Sequence, residues 1–375
     1  MKNKWFQKRV EDLAKLRGYQ KPEIYSGVLK LDSNENLAIS KQFQYDLIDN
    51  AKKRSDVREY PLGKVENLIQ ALSKYLKVSP AMIGVGNGSD QILDLILANF
   101  ATKKTKILTS DPTFGFFEER CKLYSIQTIK ISFTKDMELD LGDFVSNAKN
   151  ADILYLDSPN NPTGFQFPKK DLEKLIKSFD GLIIIDEAYS EFSDYSIVNM
   201  TKNHQNLVVV RTFSKAFGLA GLRLGYLVSN KNFVDVFTRV IQYPYPINTL
   251  AIEAGIMALQ KIKQITEVAN VIKQERKRII DNLRKFGAFH VFDSKANFVL
   301  FDVEGADTRI YNALIEQGIS IRKLGKIGKH KGCLRVTIGT KEMNSTFLLA
   351  IRDLLQWLYK KLKTASLFKI RYLIK

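Results

Sequence analysis

The run LVVVRTFSKAFGLAGLRLGYLV occupies residues 207–228 and indicates the fold more clearly than any other stretch. Its ends, Leu207–Thr212 and Leu224–Val228, are short segments rich in Leu and Val without the polar alternation of a half-exposed strand. Such segments are typical of strands that are buried on both faces of a sheet. The run therefore predicts two buried strands, joined by a connection that carries Lys215 and Arg223.

Three segments upstream share this apolar composition: Lys106–Thr109, Asp152–Asp157 and Leu182–Asp186. A helical pattern, Lys169–Ser178, separates two of them. Alternating buried strands and helices predict an α/β fold with a mostly parallel central sheet flanked by helices. Ligands of such sheets bind at the carboxyl ends of the strands.

The C-terminal third has a different pattern, in which helices and strands do not alternate regularly. Helices are predicted at about 262–286, at 308–317 and from about 345, and strands at 298–301, 319–322 and 334–338. This order is typical of an α+β unit. We therefore predict a large α/β domain over residues 41–260. A smaller α+β domain would combine residues 1–40 and 261–375, with an N-terminal arm and a basic C-terminal tail.

Composition excludes several classes of protein. The 375 residues are 45% hydrophobic, and no apolar run approaches the roughly 20 residues that cross a membrane. The N-terminus has the pattern of an amphipathic helix and lacks the apolar core of a signal peptide. Cys121 and Cys333 form no CxxC pair, which indicates a reducing compartment and predicts a cytoplasmic protein.

Two further kinds of partner are also not expected. The three histidines are widely separated and form no HExxH or Cys/His cluster, so no metal site is predicted. The formal charge of +18 suits anionic substrates, but no helix-turn-helix or aromatic RNA platform accompanies it, so no nucleic acid is expected. The basic tail from Tyr359 to Lys375 is interpreted as a solvated helical extension.

Lys215 is the first candidate for chemistry. A lysine amine forms a Schiff base with an aldehyde, and pyridoxal phosphate is the common biological case. The hydroxyls of Thr212 and Ser214 and the guanidinium of Arg223 suit the phosphate group of that cofactor. One lysine in a chain with 58 Lys and Arg residues proves nothing by itself.

The string GVGNGSD, residues 84–90, is a glycine-rich turn that opens a helix. Ser89 or Asp90 is expected to cap the helix, and the free amides around Gly88 suit a phosphate. The evenly spaced glycines do not match the G-x-G-x-x-G nucleotide fingerprint. The turn alone is weak evidence, because many such turns only reverse the chain.

Asp186 ends a predicted buried strand, and Tyr189 follows three residues later. A buried carboxylate is costly unless it is paired, and a protonated pyridine nitrogen is a suitable partner. Tyr189 could then donate a hydrogen bond to the phenolate oxygen of the cofactor ring. The alternative is an aspartate that only caps a turn, and the residues alone favour neither interpretation.

Two turns supply the remaining cofactor candidates. Asn161 lies in SPNNPTG, where its amide could donate to the phenolate oxygen, and ordinary turn chemistry is the alternative. Phe114 lies in DPTFGFF, where its ring could stack on a flat cofactor, and core packing is the alternative. Each of these candidates lies at or just after a predicted strand end, so all of them could meet in one crevice.

Taken together, these strings resemble the fold-type I, pyridoxal-phosphate-dependent aminotransferases of class I/II. The resemblance extends over about residues 18–358, and three strings carry it: NNPTG (160–164), DEAYSEF (186–192) and SKAFGLAGLRLGY (214–226). Five more strings are similar to the histidinol-phosphate aminotransferase group within that family: GYQKP (18–22), LDSNEN (31–36), EYPLG (59–63), GNGSD (86–90) and LRVTIGT (334–340).

The resemblance implies a role for each candidate. Lys215 would carry the cofactor, Asp186 would pair with its ring nitrogen, and Tyr189 and Asn161 would hold its phenolate oxygen. Its phosphate would lie among Gly88, Ser89, Asp90, Thr212, Ser214 and Arg223, with Phe114 against the ring. Tyr60 would reach the site of a partner subunit, which implies a homodimer. The chain has Phe114 where the family often has Tyr, and Gln91 where it often has Glu.

The same resemblance implies the substrates. Tyr19, Asn34, Arg322 and Arg335 would bind a phosphorylated amine, with 2-oxoglutarate as the acceptor that becomes glutamate. The alternatives on the same fold are an aromatic amino-acid aminotransferase and a threonine-phosphate decarboxylase. A regulator that binds pyridoxal phosphate without catalysis is the alternative outside enzymes, and regulators of that kind usually carry an added DNA-binding module.

Overall fold

The computed structural model describes residues 3–16, 18–19 and 21–364, and their strands form a seven-stranded and a five-stranded sheet. The large sheet has the strand order β2-β8-β7-β6-β5-β3-β4. Its strands are β2 (Ile83–Gly86), β3 (Lys106–Asp111), β4 (Gln127–Ser132), β5 (Ile153–Asp157), β6 (Leu182–Asp186), β7 (Leu207–Thr212) and β8 (Gly225–Val228). The mostly parallel sheet and the five strands predicted for it are confirmed, and β2 and β4 are additional.

Strands β3 to β7 are parallel, whereas β8 pairs antiparallel with both β7 and β2. The prediction that Leu224–Val228 suits a parallel strand is therefore wrong. Residues 213–224 between β7 and β8 contain only a short 3-10 turn and no α-helix, whereas a parallel return usually runs through a helix on the face of the sheet. This short return keeps Lys215 and Arg223 at the carboxyl end of β7.

Helices cover both faces of the large sheet. The helices associated with it are α2 (Lys41–Lys53), α3 (Lys64–Leu76), α4 (Gly88–Phe100), α5 (Gly115–Leu123), α6 (Leu141–Ala148), α7 (Lys169–Ser178), α8 (Lys231–Val236) and α9 (Thr249–Gln260). Neighbouring strand residues point to opposite faces. Ile184 packs with side chains of α4 and α5, Ile183 packs with those of α3 and α7, and both are fully buried. Burial on both faces explains the uninterrupted apolar strands.

The small sheet has the order β1-β11-β12-β10-β9, and only the β1–β11 pair is parallel. Its strands are β1 (Leu29–Leu31), β9 (His290–Val291), β10 (Phe298–Asp302), β11 (Ile319–Ile327) and β12 (His330–Thr337). The helices near the two termini are α1 (Asn3–Ala14), α10 (Ile262–Lys285), α11 (Asp307–Glu316) and α12 (Lys341–Thr364). The predicted C-terminal elements are confirmed, although α12 begins four residues earlier than expected.

The division into domains at residues 40 and 260 stays a prediction. The interpretation of the basic tail as a helical extension falls partly on α12 and partly on residues 365–375, which lie outside the described residues. In the described part of the chain, no helix is long and apolar enough to cross a membrane. The same residues contain no group of three or more His, Cys, Asp or Glu side chains that could hold a metal ion.

Candidate active site

A cavity of about 200 Å³ lies at the carboxyl ends of β5, β6 and β7, where side chains from both sheets meet. The predicted residues that line it are Tyr19, Asn34, Ser89, Asp90, Phe114, Asn161, Asp186, Tyr189, Thr212, Ser214, Lys215, Arg223, Arg322 and Arg335. Parallel strands end at the same edge of a sheet, which explains why separate strings converge here. Of the predicted site residues, Gly88 and Tyr60 are outside this lining.

Lys215 is half-buried in the cavity wall, in the turn after β7. Its Nζ is 3.4 Å from the carbonyl oxygen of Ser33 and 5.7 Å from the centre of the Tyr189 ring. Loss of hydration, followed by the positive charge of Arg335, lowers the pKa of Lys215 to about 8. A substantial fraction of this amine is therefore neutral near physiological pH, as a nucleophile or a base requires.

Asp186 ends β6 and is buried, with only 3% of its surface exposed. Its Oδ1 accepts a hydrogen bond from the Ala188 backbone N–H at 3.0 Å. Among the residues that the structure describes, no cationic side chain forms an ion pair with it. Burial, followed by the nearby charge of Asp157, raises the pKa of Asp186 to about 8. A buried carboxyl group without a counter-cation fits a ligand nitrogen that can share its proton and become cationic, such as a pyridine nitrogen.

The first turn of α4 forms the anion-binding end of the cavity. The N–H groups of a first helical turn have no intrahelical partner and suit a phosphate. Gly88 has a φ of +78°, and a Cβ there would lie 2.6 Å from Nη2 of Arg223. The predicted cap at Ser89 or Asp90 is wrong, because Asn87 occupies the N-cap position and no side chain caps it. Instead the Gln91 side chain accepts a hydrogen bond from the Asn87 N–H at 2.7 Å.

Hydroxyl and guanidinium groups surround the same end of the cavity. Arg223 lies 2.8 Å from Asp90 through Nη2 and 3.4 Å from the Ser214 hydroxyl through Nη1. The hydroxyls of Thr212 and Ser214 are 3.0 Å apart. A Cβ at Gly225 would lie 2.4 Å from the backbone nitrogen of Ser89, so only glycine fits there. The backbone is thus packed closely around a pocket of donors that an anion would fit.

Polar side chains at the opposite end connect the two sheets. Arg335 on β12 donates to Oδ1 of Asn161 at 2.5 Å and to the carbonyl oxygen of Asp32 at 3.0 Å. Its Nε is buried and has no partner in the described part of the chain. Asn34 donates to the Tyr189 hydroxyl at 2.9 Å. A buried guanidinium with an unsatisfied donor is suited to an anionic substrate group.

Aromatic rings form one wall of the cavity. Tyr19 and Phe114 meet edge to face, with ring centroids 6.3 Å apart, and Phe116 lies beside Phe114 at 5.9 Å. Arg322 on β11 also lines the cavity. The roles proposed for these side chains, stacking for Phe114 and phosphate binding for Tyr19 and Arg322, stay predictions.

Tyr60 lies away from this cavity. Its side chain is 70% exposed and stacks on Tyr245, with ring centroids 4.2 Å apart. In the described chain, therefore, Tyr60 is not part of the lining of its own cavity. The expected contribution to the site of a partner subunit stays a prediction.

Several residues in the cavity lining were not predicted: Pro22, Asp32, Ser33, Phe116, Asp157 and Ala188. Asp157 ends β5 as Asp186 ends β6, so its position at a strand end was a usable signal. Asp32 and Ser33 follow β1, whose three residues gave no strand signal. Their proximity to Lys215 depends on how the two sheets pack.

The chain matches the family model "Aminotransferase class I and II" over residues 26–351. It belongs to that family. A histidinol-phosphate aminotransferase of a Thermoanaerobacter strain is 34% identical over 354 residues, which cover 92% of this chain and 99% of the relative. The histidinol-phosphate aminotransferase of Pyrococcus furiosus is 33% identical and covers 87% of this chain and 92% of its own length. The predicted membership of the aminotransferase family is confirmed.

Solved structures extend the comparison to the fold. The Clostridium acetobutylicum histidinol-phosphate aminotransferase has a TM-score of 0.80 and 29% identity, and the match covers 87% of this chain and 99% of that one. The Sinorhizobium meliloti enzyme, solved in complex with pyridoxal-5'-phosphate, has a TM-score of 0.79 and 25% identity, with 88% and 91% covered. A threonine-phosphate decarboxylase from Porphyromonas gingivalis scores 0.75 at 25% identity, with 87% and 99% covered. The predicted fold-type I architecture is confirmed.

Proposed function

We propose that this aminotransferase uses pyridoxal phosphate to transfer the amino group of histidinol phosphate to 2-oxoglutarate. The products would be imidazole acetol phosphate and glutamate, as a step of histidine biosynthesis. One observation carries the cofactor assignment. Lys215, with a lowered pKa, and Asp186, a buried carboxyl group without a counter-cation, line the same cavity beside the N-terminus of α4. The relatives named above support the choice of substrate.

The donor set of the cavity fits each part of this cofactor. The phosphate would lie among Gly88, Ser89, Asp90, Thr212, Ser214 and Arg223, with the ring nitrogen at Asp186 and the ring against Phe114. Asn161 and Tyr189 would hold the phenolate oxygen. Bound pyridoxal phosphate supplies an electron-withdrawing ring that labilises a proton on the substrate carbon next to the amine.

The protein groups then have distinct tasks. The neutral amine of Lys215 removes that proton and later returns one, as general base and general acid. Asp186 keeps a proton on the ring nitrogen. Arg335, with Arg322 and Tyr19, holds the substrate phosphate, and Asn34 lines the same pocket. This phosphate would accept a hydrogen bond from Nε of Arg335, which has no partner in the described part of the chain.

Parallel assays of the purified protein test this function. Protein loaded with pyridoxal phosphate is given 2-oxoglutarate and histidinol phosphate, phenylalanine or threonine phosphate, while glutamate and carbon dioxide are measured. We expect the highest kcat/KM for glutamate formation from histidinol phosphate. Preferred turnover of phenylalanine would instead assign an aromatic aminotransferase, and carbon dioxide from threonine phosphate would assign a decarboxylase. Cofactor binding without turnover of any substrate would favour a regulator.

We also propose a cytoplasmic homodimer, in which residues 41–260 form the cofactor domain and residues 1–40 with 261–375 form the second domain. The exposed apolar side chains of Val57, Tyr60 and Leu62 support an interface at this edge. If Tyr60 acts on the partner's site, mixed dimers of Tyr60→Ala and Lys215→Ala subunits regain one intact site. Activity should then rise clearly above that of either variant alone. No recovery in dimers shown to be mixed would place the Tyr60 contribution elsewhere.

A further inference from the structure

Two acidic residues end neighbouring strands at the floor of the cavity. β5 ends at Asp157 and β6 at Asp186, and these two residues are paired in the parallel register. Side chains at paired positions of parallel strands point to the same face. Asp157 is 7% exposed and Asp186 is 3% exposed, and both line the cavity. The proposed function assigns a role to Asp186 only, so the second buried carboxylate is unexplained.

The hydrogen bonds of Asp157 favour its ionised form. Its Oδ1 accepts from the Thr113 hydroxyl at 2.9 Å and from the Asn160 side-chain amide at 2.8 Å. Its Oδ2 accepts from the Asn161 backbone N–H at 2.7 Å. Three donors around one carboxylate stabilise the negative charge, because a protonated oxygen would lose one of them. Burial raises the pKa of Asp157 to about 6, which still leaves it ionised near neutral pH.

Other titratable groups also face Asp186, from each surrounding element. They are Asp157 and Tyr155 on β5, Asp90 on α4, Lys215 after β7 and Tyr189 after β6. The negative charge of Asp90 is offset by Arg223, 2.8 Å away. Within the described residues, no cationic side chain forms an ion pair with Asp157. Among these groups, Asp157 is therefore the negative charge without a counter-cation that affects the pKa of Asp186 most.

We propose that Asp157 is a positioning residue for the cofactor, whose fixed negative charge makes Asp186 hold a protonated ring nitrogen more tightly. This inference rests on the proposed function, since it requires a cationic ring nitrogen at Asp186. A second negative charge at the same floor stabilises that cation and disfavours the neutral ring. The hydrogen bond to the Asn161 backbone gives Asp157 a separate structural task, because Asn161 in turn contacts Arg335.

Binding of two related compounds distinguishes the effect of the Asp157 charge from the structural role of its hydrogen bonds. Pyridoxal phosphate has a ring nitrogen, and its 1-deaza analogue has a carbon in that position and cannot be protonated there. The full-length protein is stripped of cofactor, and the dissociation constant of each compound is measured at neutral pH. We expect Asp157→Asn to lower the preference for pyridoxal phosphate over the deaza analogue about tenfold, the effect of a pKa change of one unit.

Asp152→Asn is the matched control. Asp152 is an exposed carboxylate just before the other end of β5, where it accepts a hydrogen bond from the Lys106 N–H at 2.8 Å. Its loss should leave the preference unchanged. Thr113→Val removes one hydrogen bond from Asp157 but keeps its charge, so it should weaken both compounds equally. If Asp157→Asn does not fold, Asp157→Ser removes the same charge with a smaller side chain that can still accept from Asn161.

Equal losses of affinity for both compounds in the Asp157 variants would overturn the inference and leave Asp157 with a structural task alone. The proposed function has its own, separate readout. A wild-type protein that binds pyridoxal phosphate and forms glutamate from histidinol phosphate keeps that function, whatever the Asp157 variants do. A wild-type protein that does not bind pyridoxal phosphate would overturn both.

Discussion

Among the described residues, buried charges have counter-charges on one face of the large sheet and lack them on the other. Asp186 and Thr212 point into the cavity, whereas the adjacent residues Glu187 and Arg211 are packed against the opposite face. Side chains of consecutive strand residues alternate between faces. The dipeptides Asp186–Glu187 and Arg211–Thr212 therefore each place one side chain in the cavity and one on the opposite face. The regions therefore share a backbone and differ only in the partners of their charges.

On the opposite face, the buried charges are paired. Arg211 donates to Glu187 through Nε at 3.0 Å and through Nη2 at 2.8 Å, and Nη2 also contacts the Ser196 hydroxyl. Glu187 accepts further bonds from Ser196 at 2.7 Å and from the Ile197 N–H at 2.7 Å. Glu191 lies 3.7 Å from Nη1 of Arg211, so carboxylates of the protein itself balance the guanidinium. We infer that this face is structural.

On the cavity face, Asp186 and Asp157 lack cationic partners in the described chain, and burial raises the pKa of both. Lys215 has the reverse shift, because its positive form is the one that burial disfavours. Buried groups whose charged forms are disfavoured are expected where a ligand completes the pairing. The comparison therefore assigns chemistry to one face and stability to the other, and variants can test it.

The largest effect is expected from Lys215→Ala. Loss of the only amine that contacts the reacting carbon in the proposed function should lower kcat for transamination by at least about 10⁴-fold. Folding should be nearly unaffected, because the side chain has few polar contacts. Steady-state kinetics and thermal unfolding would check both parts. Substantial residual turnover would assign the base to another group. Borohydride reduction and peptide mapping of the wild type should label position 215.

Asp186→Asn is expected to show a loss of activity with a gain in stability. Without the carboxylate, the ring nitrogen loses its proton and kcat should fall about 10³-fold. The pKa of Asp186 is raised from its ordinary 3.8 to about 8. Below pH 4 the group is protonated in both the folded and the unfolded state, so its ionisation does not change the free energy of unfolding. As the pH rises to 8, only the unfolded state ionises freely, and the folded state loses stability. Cofactor-free Asp186→Asn should thus unfold at a higher temperature than wild type above pH 8, and equally at pH 4. A uniform destabilisation would contradict this account.

Much of this contrast was accessible from the sequence. Strands β5, β6 and β7 were predicted to within one residue, because uninterrupted Ile, Leu and Val are the signature of two-sided burial. The convergence of Lys215 and Asp186 followed, since both come at the ends of parallel strands. The strand β2, with the sequence IGVG, and β4, with QTIKIS, were missed because glycine and alternating polar residues weaken that signature.

What the sequence did not provide was the set of partners. The string DSPNN at 157–161 has the composition of a turn, and only the register of β5 with β6 places Asp157 beside Asp186. The wrong cap at Ser89 has a similar cause. A serine before an apolar helix favours a cap, yet the close approach of Gly225 to the backbone of Ser89 shapes this turn instead. Sequence patterns indicate which residues are buried, whereas contacts between distant segments decide how their charges are balanced.

Glu187→Gln tests the structural face. It leaves the Arg211 guanidinium buried without its main counter-charge, which should lower the free energy of unfolding by about 3 kcal/mol. The kcat of the folded fraction should stay within about twofold of wild type, because the side chain points away from the cavity. The double variant Glu187→Gln/Arg211→Met should recover part of the loss, since it removes the buried guanidinium, and only part, since Glu191 then loses the cation 3.7 Å away. Chemical denaturation and kinetics provide both readouts. A loss of kcat with unchanged stability would reverse the assignment of the two faces.

The smallest effects are expected at Arg335. Two variants there separate the contribution of its planar guanidinium from that of its positive charge. Arg335→Lys keeps the charge but loses the planar fork, so the KM for the phosphorylated substrate should rise about tenfold. Arg335→Gln also removes a positive charge that lowers the pKa of Lys215. That pKa should rise in this variant, so the pH at which cofactor attaches to Lys215 at half its maximal rate should move up by about half a unit. In Arg335→Lys that midpoint should not move. Equal midpoints in both variants would show that the charge of Arg335 does not act on Lys215.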